Sequence, residues 1–560
     1  MDYSKFVEVY ESLSATTKKL EKADILAEFL PKLKGHGEWI YLLRGRAVPD
    51  YDDRVFGISG QLTIKAISKV SGVSEKRVIG RFRRIGDLGK VAKELIGKKK
   101  QSTLFSNKLE VSKVFVNLRK LMGVEGKGSV DKKMGLIAEL LGNASGKEAK
   151  YIVRTLLNDL RIGVADAILR DGVVKAFFGD DKEMYDVVEE AFDKVNDFAE
   201  VYSLALKGKN ALKKVEVIPG RPIKVMLPVK VNDLNEGLRI CGVPVAVEHK
   251  YDGFRVIISN DGKKIELFTR RLDNVTKQFP DVVEVVKKYV RGKSFILDSE
   301  VVGYNPKTGK AKPFEAISQR IKRKYDVDRL IKELPVEINV FDVIYHNGKG
   351  VLSDSFTKRR KLLEKIVKPV KNKIRLSKQF VSGNEKEIMK FYKDALKQGE
   401  EGIMLKKLDA PYRPGRRVGY IVKMKPIVND LDFVIVGAEY GTGKRAGGLT
   451  SFIVACKNNE RFLEVGKVSS GLKEKEGEGT TYGEMDKILR PLIIKTDGRR
   501  VWVKPKVVVS LTYQNIQKSP SYSSGFALRF PRITHYRPER GVYDIASLED
   551  IKKESKRERK

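Results

Sequence analysis

Along the 560 residues the spacing of apolar side chains changes twice. Over residues 1–220 it is helical: Phe6, Val9, Tyr10 and Leu13 recur on one face, and Ile25, Leu26, Phe29 and Leu30 repeat the pattern before the stop at Pro31. Short glycine turns, Ile85-Gly86-Asp87-Leu88-Gly89 and Leu160-Arg161-Ile162-Gly163-Val164, separate helices there. The density of proline and glycine in Val217-Ile218-Pro219-Gly220-Arg221-Pro222 marks a linker. From 243 to 425 strand patterns take over, with helices expected over 282–290 and 385–397. A second break falls at Pro426-Ile427-Val428-Asn429-Asp430, and the runs at 433–436, 452–455 and 507–511 then predict a small β-barrel of OB type. The expected fold class is multidomain: an all-α domain over 1–220, an α+β domain over 221–427, and the barrel over 428–560 with a frayed charged tail from Lys552.

Composition sharpens this picture. Lys and Arg outnumber Asp and Glu by 111 to 73, a formal charge of +38, which points to a polyanionic partner. A thermophilic origin fits the charged third of the chain and its eight glutamines, but it would raise Lys and Glu together and so leaves the imbalance unexplained. Arg77, Arg81, Arg83, Arg84, Arg154, Arg161 and Arg170 cluster around the glycine turns, whose N–H groups suit phosphate; plain helix–helix connections explain the turns equally. Cys241 and Cys456 form neither a disulfide framework nor a four-cysteine zinc site. Asp2 and Lys5 precede no apolar core of a leader, and no run reaches membrane-spanning length. A soluble, cytoplasmic protein is expected.

The candidate chemistry centres on Glu248-His249-Lys250-Tyr251-Asp252-Gly253-Phe254-Arg255. The preceding valines alternate as in a strand with one buried face, setting Glu248 and Lys250 opposite. Asp252-Gly253 predicts a tight turn, and 254–258 a return strand. A lysine at a strand end with an arginine five residues on suits a covalent amine nucleophile beside a phosphate clamp. A surface hairpin with exposed charges fits the octet equally well.

Other strands of this domain also present polar groups. Asp298 and Glu300 share a face suited to a metal or a ribose hydroxyl. Glu337, Asn339 and Phe341 lie opposite Val336, Ile338, Val340 and Asp342; the Phe341 ring suits base stacking or a core. Glu401 begins a strand with Lys406 on the alternate face, and Lys423 and Lys425 flank Met424. Arg416-Arg417, in a Gly/Pro loop, reads as a solvated pair. Together these supply an amine, carboxylates for Mg2+, paired cations and a ring, the inventory of nucleotidyl transfer.

The ordered set Lys250-x-Asp252-Gly253-x-Arg255, Thr269-Arg270-Arg271, Leu297-Asp298-Ser299-Glu300, Val340-Phe341-Asp342, Glu401-Gly402-Ile403-Met404, Val422-Lys423-Met424-Lys425 and Leu528-Arg529-Phe530-Pro531-Arg532 resembles nucleotidyltransferase motifs I to VI. Over nearly its whole length the chain resembles ATP-dependent DNA ligases of the archaeal replicative type and is similar to eukaryotic DNA ligase I. The resemblance implies an all-α DNA-binding domain, an α+β nucleotidyltransferase (adenylation) domain and a C-terminal OB-fold β-barrel. It implies a monomer that seals nicked duplex DNA in replication, repair and recombination with ATP and Mg2+ or Mn2+. Lys250 would carry AMP, and Glu248 would contact adenine. Arg255 and Arg270 would bind ribose or nick phosphate. Glu300 and Glu401 would serve ribose and metal, Phe341 would stack adenine, and Arg417, Lys423 and Lys425 would hold phosphates. Arg529 and Arg532 would orient pyrophosphate. Arg161 lies in a DNA-binding-domain signature, and Gln101, Leu104 and Phe105 resemble the sliding-clamp (PCNA) docking loop.

Three positions depart from the family pattern. Arg540 ends an Arg537-Pro538-Glu539-Arg540 run where relatives carry Arg-Glu-Asp-Lys, and Ser510 and Asn515 replace acidic residues. Rival readings fit less well. A capping guanylyltransferase needs no long basic helical domain, an NAD-dependent ligase needs a zinc site, and a DNA-architectural protein leaves the central motifs idle. Gly441-Thr442-Gly443-Lys444-Arg445 fails the P-loop spacing because residue 438 is Ala and 445 is Arg.

Overall fold

The computed structural model describes residues 1–52, 54–98, 108–312, 314–322, 326–426, 430–441, 445, 447–474 and 479–557. The residues expected to dock a clamp (Gln101, Leu104, Phe105) and the break at 427–429 lie outside them. Two compact units result, Met1–Leu396 with Glu400–Lys425, and Lys397–Gly399 with Pro426–Lys560.

The first unit begins helically, as its period requires. In the helix Tyr3–Ala15 the buried side chains are Tyr3, Phe6, Val7, Tyr10 and Leu13, and the next helix runs from Lys19 to Phe29. At the first glycine turn two N–H groups are already taken. Asp87 caps the helix Leu88–Ile96, its Oδ1 accepting from the N–H of Gly89 (2.9 Å) and Lys90 (3.2 Å). Its other oxygen accepts from Arg154 at 2.6 Å and Arg161 at 3.2 Å, so the two turns meet on one carboxylate. Arg81 pairs with Glu94, and Arg170 with Asp171 and Glu189. Lys76, Arg77, Arg83 and Arg84 remain exposed on the helix Glu75–Ile85, which buries only Val78 fully.

Eleven strands follow among the described residues of this unit: β1 (Val229–Val231), β2 (Val245–Lys250), β3 (Phe254–Asn260), β4 (Ile265–Thr269), β5 (Phe295–Gly303), β6 (Val336–His346), β7 (Lys349–Gly350), β8 (Ile374–Leu376), β9 (Gln379–Ser382), β10 (Gly402–Lys407) and β11 (Ile421–Met424). They form two sheets, β1-β11-β10-β2-β9 and β4-β3-β5-β6-β7 with β8 beside β6. The expected hairpin is therefore absent: β2 pairs with β9 and β10, whereas β3 pairs with β4 and β5. At Asp252-Gly253 the chain crosses from one sheet to the other. Gly253 makes the crossing possible because a Cβ there would stand 2.4 Å from the carbonyl oxygen of Val301.

Nor is only one face of β2 buried. Val245 and Val247 pack with Leu238, Ile388, Leu405 and Val422, while Glu248 is buried on the other side. The helices of this layer run Leu234–Cys241 and Glu385–Lys397. Behind the second sheet, Val256, Leu297, Ile338 and Val340 pack against the helices Pro280–Tyr289 and Phe356–Ile366. A smaller cluster joins both sheets through Ile257, Phe268, Ile296, Ile344, Tyr412 and Ile421. The linker is built into it by Val217 and Ile223, and the Gly220 N–H donates to Ser259 Oγ at 2.8 Å. Alternation breaks in β6, where the register with β5 shifts between Asp298 and Ser299. Val343, not Asp342, therefore continues the apolar face of Val336, Ile338 and Val340, and Asp342 pairs instead with Arg359 at 2.7 Å.

The second unit is strand-rich: β12 (Leu431–Tyr440), β13 (Leu449–Asn458), β14 (Arg461–Val468), β15 (Ile493–Asp497) and β16 (Arg500–Thr512) form one antiparallel sheet in the order β14-β13-β12-β16-β15, with Arg532–Tyr536 also on β16. Bulges in the β12–β13, β12–β16 and β13–β14 ladders bend it around Phe433, Phe452, Val465 and Leu511. The tail is not frayed over its first part. Leu548–Arg557 is a helix whose fully buried Ile551 anchors it to this core.

Replacing Gly253 by Ala should destabilise the first unit by about 1–3 kcal/mol, as overpacking against rigid backbone does. An unchanged denaturant midpoint would show that the crossing tolerates a side chain.

Candidate active site

The site grows from how β10 starts. Gly402 has φ +145°, and a Cβ there would stand 2.2 Å from the Met424 carbonyl oxygen, so only glycine lets the strand begin this close to β11. Register places Gly402 opposite Lys250 and Ile403 opposite Met424. The preceding Glu401 donates its N–H to the Lys250 carbonyl at 2.8 Å. Its Oε2 consequently lies 2.6 Å from the Nζ of Lys250 and 2.6 Å from that of Lys425. Burial opposes ionisation of Glu401, but the two ammonium groups prevail and hold its carboxyl at about 2.

Glu300 faces the same place from β5. Desolvation pushes its carboxyl up to about 7, with Glu401 and Asp298 adding repulsion against the pull of Lys250 and Arg255. Burial, then Lys250, Lys425, Arg270 and Arg417, disfavour the charged form of Lys423. Burial likewise lowers Lys425. The cleft thus gathers Lys250, Glu300, Glu401, Lys423 and Lys425, with exposed Arg270 and Arg417 within electrostatic reach.

Glu248 and Phe341 stand to one side of these groups. Glu248 is 2% exposed; Lys406 lies 2.8 Å from its Oε2, and Gln379 Nε2 donates to its Oε1 at 2.7 Å. Phe341 is half-buried, with Lys406 Nζ 4.7 Å and the Arg255 guanidinium 5.3 Å from its ring centroid. Arg255 is not an open phosphate clamp. Its Nε and Nη2 donate to Asp298 at 2.9 and 2.5 Å, and its Nη1 to the Met226 carbonyl at 2.8 Å. Asp298 is accordingly committed to Arg255 and to Tyr412, whose hydroxyl donates to it at 2.7 Å, and not to a metal or ribose. Arg416 is not solvated: it pairs with Asp186 (3.1 Å), Glu189 (3.4 Å) and Asp193 (3.7 Å).

Sequence reasoning placed Lys406 on its strand without giving it a role, and passed over Gln379 and Tyr412. Lys406 carried a usable signal, a lysine directly after the apolar run Ile403-Met404-Leu405. The other two carried none, since their roles arise from contacts across 114 or more positions in the chain.

Elsewhere in the first unit, Arg161 is engaged by Asp87 and Asp159. Arg529 and Arg532 belong to the second unit. There the Arg529 N–H donates to the Asn515 carbonyl at 2.9 Å, its guanidinium lies 5.3 Å from the Phe530 ring, and Arg532 is exposed. Ser510 bonds to Asp432, with Arg537 and Arg540 also paired to that carboxylate at 3.7 and 3.5 Å.

No group of three or more His, Cys, Asp and Glu suited to a metal occurs among the described residues. Glu300 and Glu401 do offer two mutually repelling carboxylates. Such a pair fits a hard divalent cation that takes its other ligands from water and phosphate.

An amine wedged among carboxylates and surplus cations, at the mouth of two facing sheets, is equipped to take a nucleotidyl group from a polyphosphate. The fold and the groups it gathers define the class of nucleotidyltransferases. Comparison with known proteins narrows the class. Residues 2–173 match the family described as DNA ligase N terminus, 225–425 that described as ATP dependent DNA ligase domain, and 445–540 the ATP dependent DNA ligase C terminal region. The DNA ligase of Nanoarchaeum equitans (strain Kin4-M) is 43% identical over 99% of this chain and 98% of its own. That of Thermococcus fumicolans is 39% identical over 98% of each. A solved structure described as Pmar-Lig_PreS3 shares the fold at 18% identity, with TM-score 0.58 over 95% of this chain and 99% of that one. The chain belongs to the ATP-dependent DNA ligases, which seal nicks in duplex DNA.

Glu300 makes stability depend on pH. Folded, it keeps its proton up to about 7 instead of the usual 4.5, so the folded state holds more protons within that window and its stability falls as pH rises through it. Glu300→Gln removes this loss. Its melting temperature relative to the unaltered chain should therefore rise between pH 5 and pH 8 in metal-free buffer; a flat difference would contradict the assignment.

Proposed function

We propose that Lys250 is the nucleophile of this ligase. The observation that carries the proposal is the sharing of Glu401 by Lys250 and Lys425 at the mouth of the cleft. The Lys250 ammonium first releases a proton to solvent; its amine then attacks the α-phosphorus of ATP, and the N–P bond forms as the bond to pyrophosphate breaks. An oxygen of the 5′-phosphate at a nick next takes the AMP from Lys250, freeing the amine. The 3′-hydroxyl then attacks that 5′-phosphorus, closing the phosphodiester and expelling AMP.

Glu248, oriented by Lys406 and Gln379, recognises adenine, and Phe341 stacks on it. Lys423, Lys425, Arg270 and Arg417 receive phosphates, while Arg255, held by Asp298, shapes the ribose side. Glu300 and Glu401 hold Mg2+ or Mn2+. When bound, the cation offsets charge on the phosphoryl oxygens. Arg529 and Arg532 serve pyrophosphate departure. The exposed arginines 77, 83 and 84, with Arg161, grip duplex backbone. Gln101, Leu104 and Phe105 dock a sliding clamp (PCNA). The enzyme works as a cytoplasmic monomer, over the expected domains 1–220, 221–427 and 428–560. Among the described residues no helix is long and apolar enough to cross a membrane.

Incubation with α-labelled ATP and Mg2+ should label the protein, and Lys250→Ala should abolish the label. Label from GTP alone, or label retained in that variant, would overturn the reading. Phe105→Ala should weaken clamp pull-down at least severalfold while nick sealing without clamp stays intact, as loss of a buried aromatic anchor predicts. Undiminished pull-down would remove the docking assignment.

A further inference from the structure

The segment 410–417 connects two regions that no sequence motif links. On its inner side, Tyr412 is 2% exposed. Its hydroxyl donates to Asp298 Oδ2 at 2.7 Å and accepts the Met226 N–H at 3.1 Å. Asp298 is fully buried and in turn grips Arg255 with both oxygens. Met226 closes the loop, because its carbonyl accepts from Arg255 Nη1 at 2.8 Å. A buried carboxylate with these partners has no freedom to reorient, and Arg255 inherits that rigidity beside Phe341.

On its outer side the same segment holds the helical domain. Asp186, Glu189, Glu190 and Asp193 lie on the helix Lys182–Val195 at i, i+3, i+4 and i+7, which places them on one face. Arg416 reaches three of them and Arg413 pairs with the fourth, Glu190. Between the arginines Gly415 has φ +70°, and a Cβ there would lie 2.7 Å from Asp193 Oδ1, so the backbone itself is pressed against this helix. The linker runs alongside: the Leu227 N–H donates to the Arg416 carbonyl at 2.9 Å, and that of Gly415 to the Val225 carbonyl at 3.2 Å.

We propose that Tyr412 is a positioning residue that ties the nucleotide cleft to the seating of the helical domain. Its hydroxyl orients Asp298 and hence Arg255, while Arg413 and Arg416 fasten its backbone to the acidic face of Lys182–Val195. A shift of the helical domain on binding duplex therefore reaches the ribose side of the cleft through one side chain. The proposal rests on the cleft being the ATP site. Failure of that reading shows separately, as label surviving Lys250→Ala.

The test is self-adenylation of the full chain by α-labelled ATP without DNA, followed across ATP concentrations. Tyr412→Phe keeps the ring and removes only the hydroxyl; it should raise the KM for ATP about tenfold, the usual scale for one hydrogen bond to a buried charge. Glu190→Gln, remote from the cleft, should raise KM about threefold in the unaltered chain and not at all in the Tyr412→Phe background. A merely structural tyrosine would lower the melting temperature without this non-additivity. An unchanged KM in Tyr412→Phe, or an equal effect of Glu190→Gln in both backgrounds, overturns the proposal. If Tyr412→Phe fails to fold, the double variant Asp186→Asn with Glu190→Gln decides: a raised KM supports the tie and an unchanged one overturns it.

Discussion

One carboxylate shared by two ammonium groups sets the character of this molecule. Glu401 balances half the charge of Lys250 and Lys425, and no described carboxylate of the cleft balances Lys423, Arg270 and Arg417 to the same degree. Burial weakens the charged forms of Lys423 and Lys425 and raises Glu300 to about 7. The cleft is therefore an arrangement of like charges held together by backbone, with an excess of cations suited to a polyphosphate. Preorganised cations of this kind lose little by reorganisation when charge develops during reaction.

Holding such groups in place falls to buried pairs around them. Arg255–Asp298, Arg359–Asp342 and Lys406–Glu248 are withdrawn from water, and each carboxylate has its hydrogen bonds met inside the protein. Ion pairs so placed add little net stability, because desolvation offsets their attraction. Their consequence here is geometric. Each fixes one side chain of the cleft wall in one orientation, and removing one partner would strand a buried charge.

Internal pairing also governs the helical domain. A net charge of +38 suggests a surface of free cations, yet Arg81, Arg154, Arg161 and Arg170 are engaged by carboxylates of the same domain. Arg77, Arg83 and Arg84 stay exposed on the helix Glu75–Ile85. Asp87 illustrates the internal pairing. Its carboxylate caps a helix with one oxygen and takes two arginines of the same domain with the other.

Local pattern accounts for much of this protein. The helix expected over 385–397 is observed as Glu385–Lys397, and the helical period of residues 1–30, the strand runs at 433–436, 452–455 and 507–511, and the charged face of β11 all follow from side-chain spacing within a few residues. Ordered motifs likewise pointed to Lys250, Glu300, Glu401, Lys423 and Lys425 as one constellation, and the fold brings them into one cleft. Tertiary structure alone decided that β2 and β3 part into different sheets, that Asp298 belongs to Arg255 and Tyr412, that Arg416 clasps an acidic helix, and that the last helix is pinned by Ile551. The reason is common to all four. Spacing along the chain reports which face a side chain takes, whereas strand partners and charge partners are chosen among groups tens to hundreds of residues away by close packing and by the cost of leaving a buried charge alone.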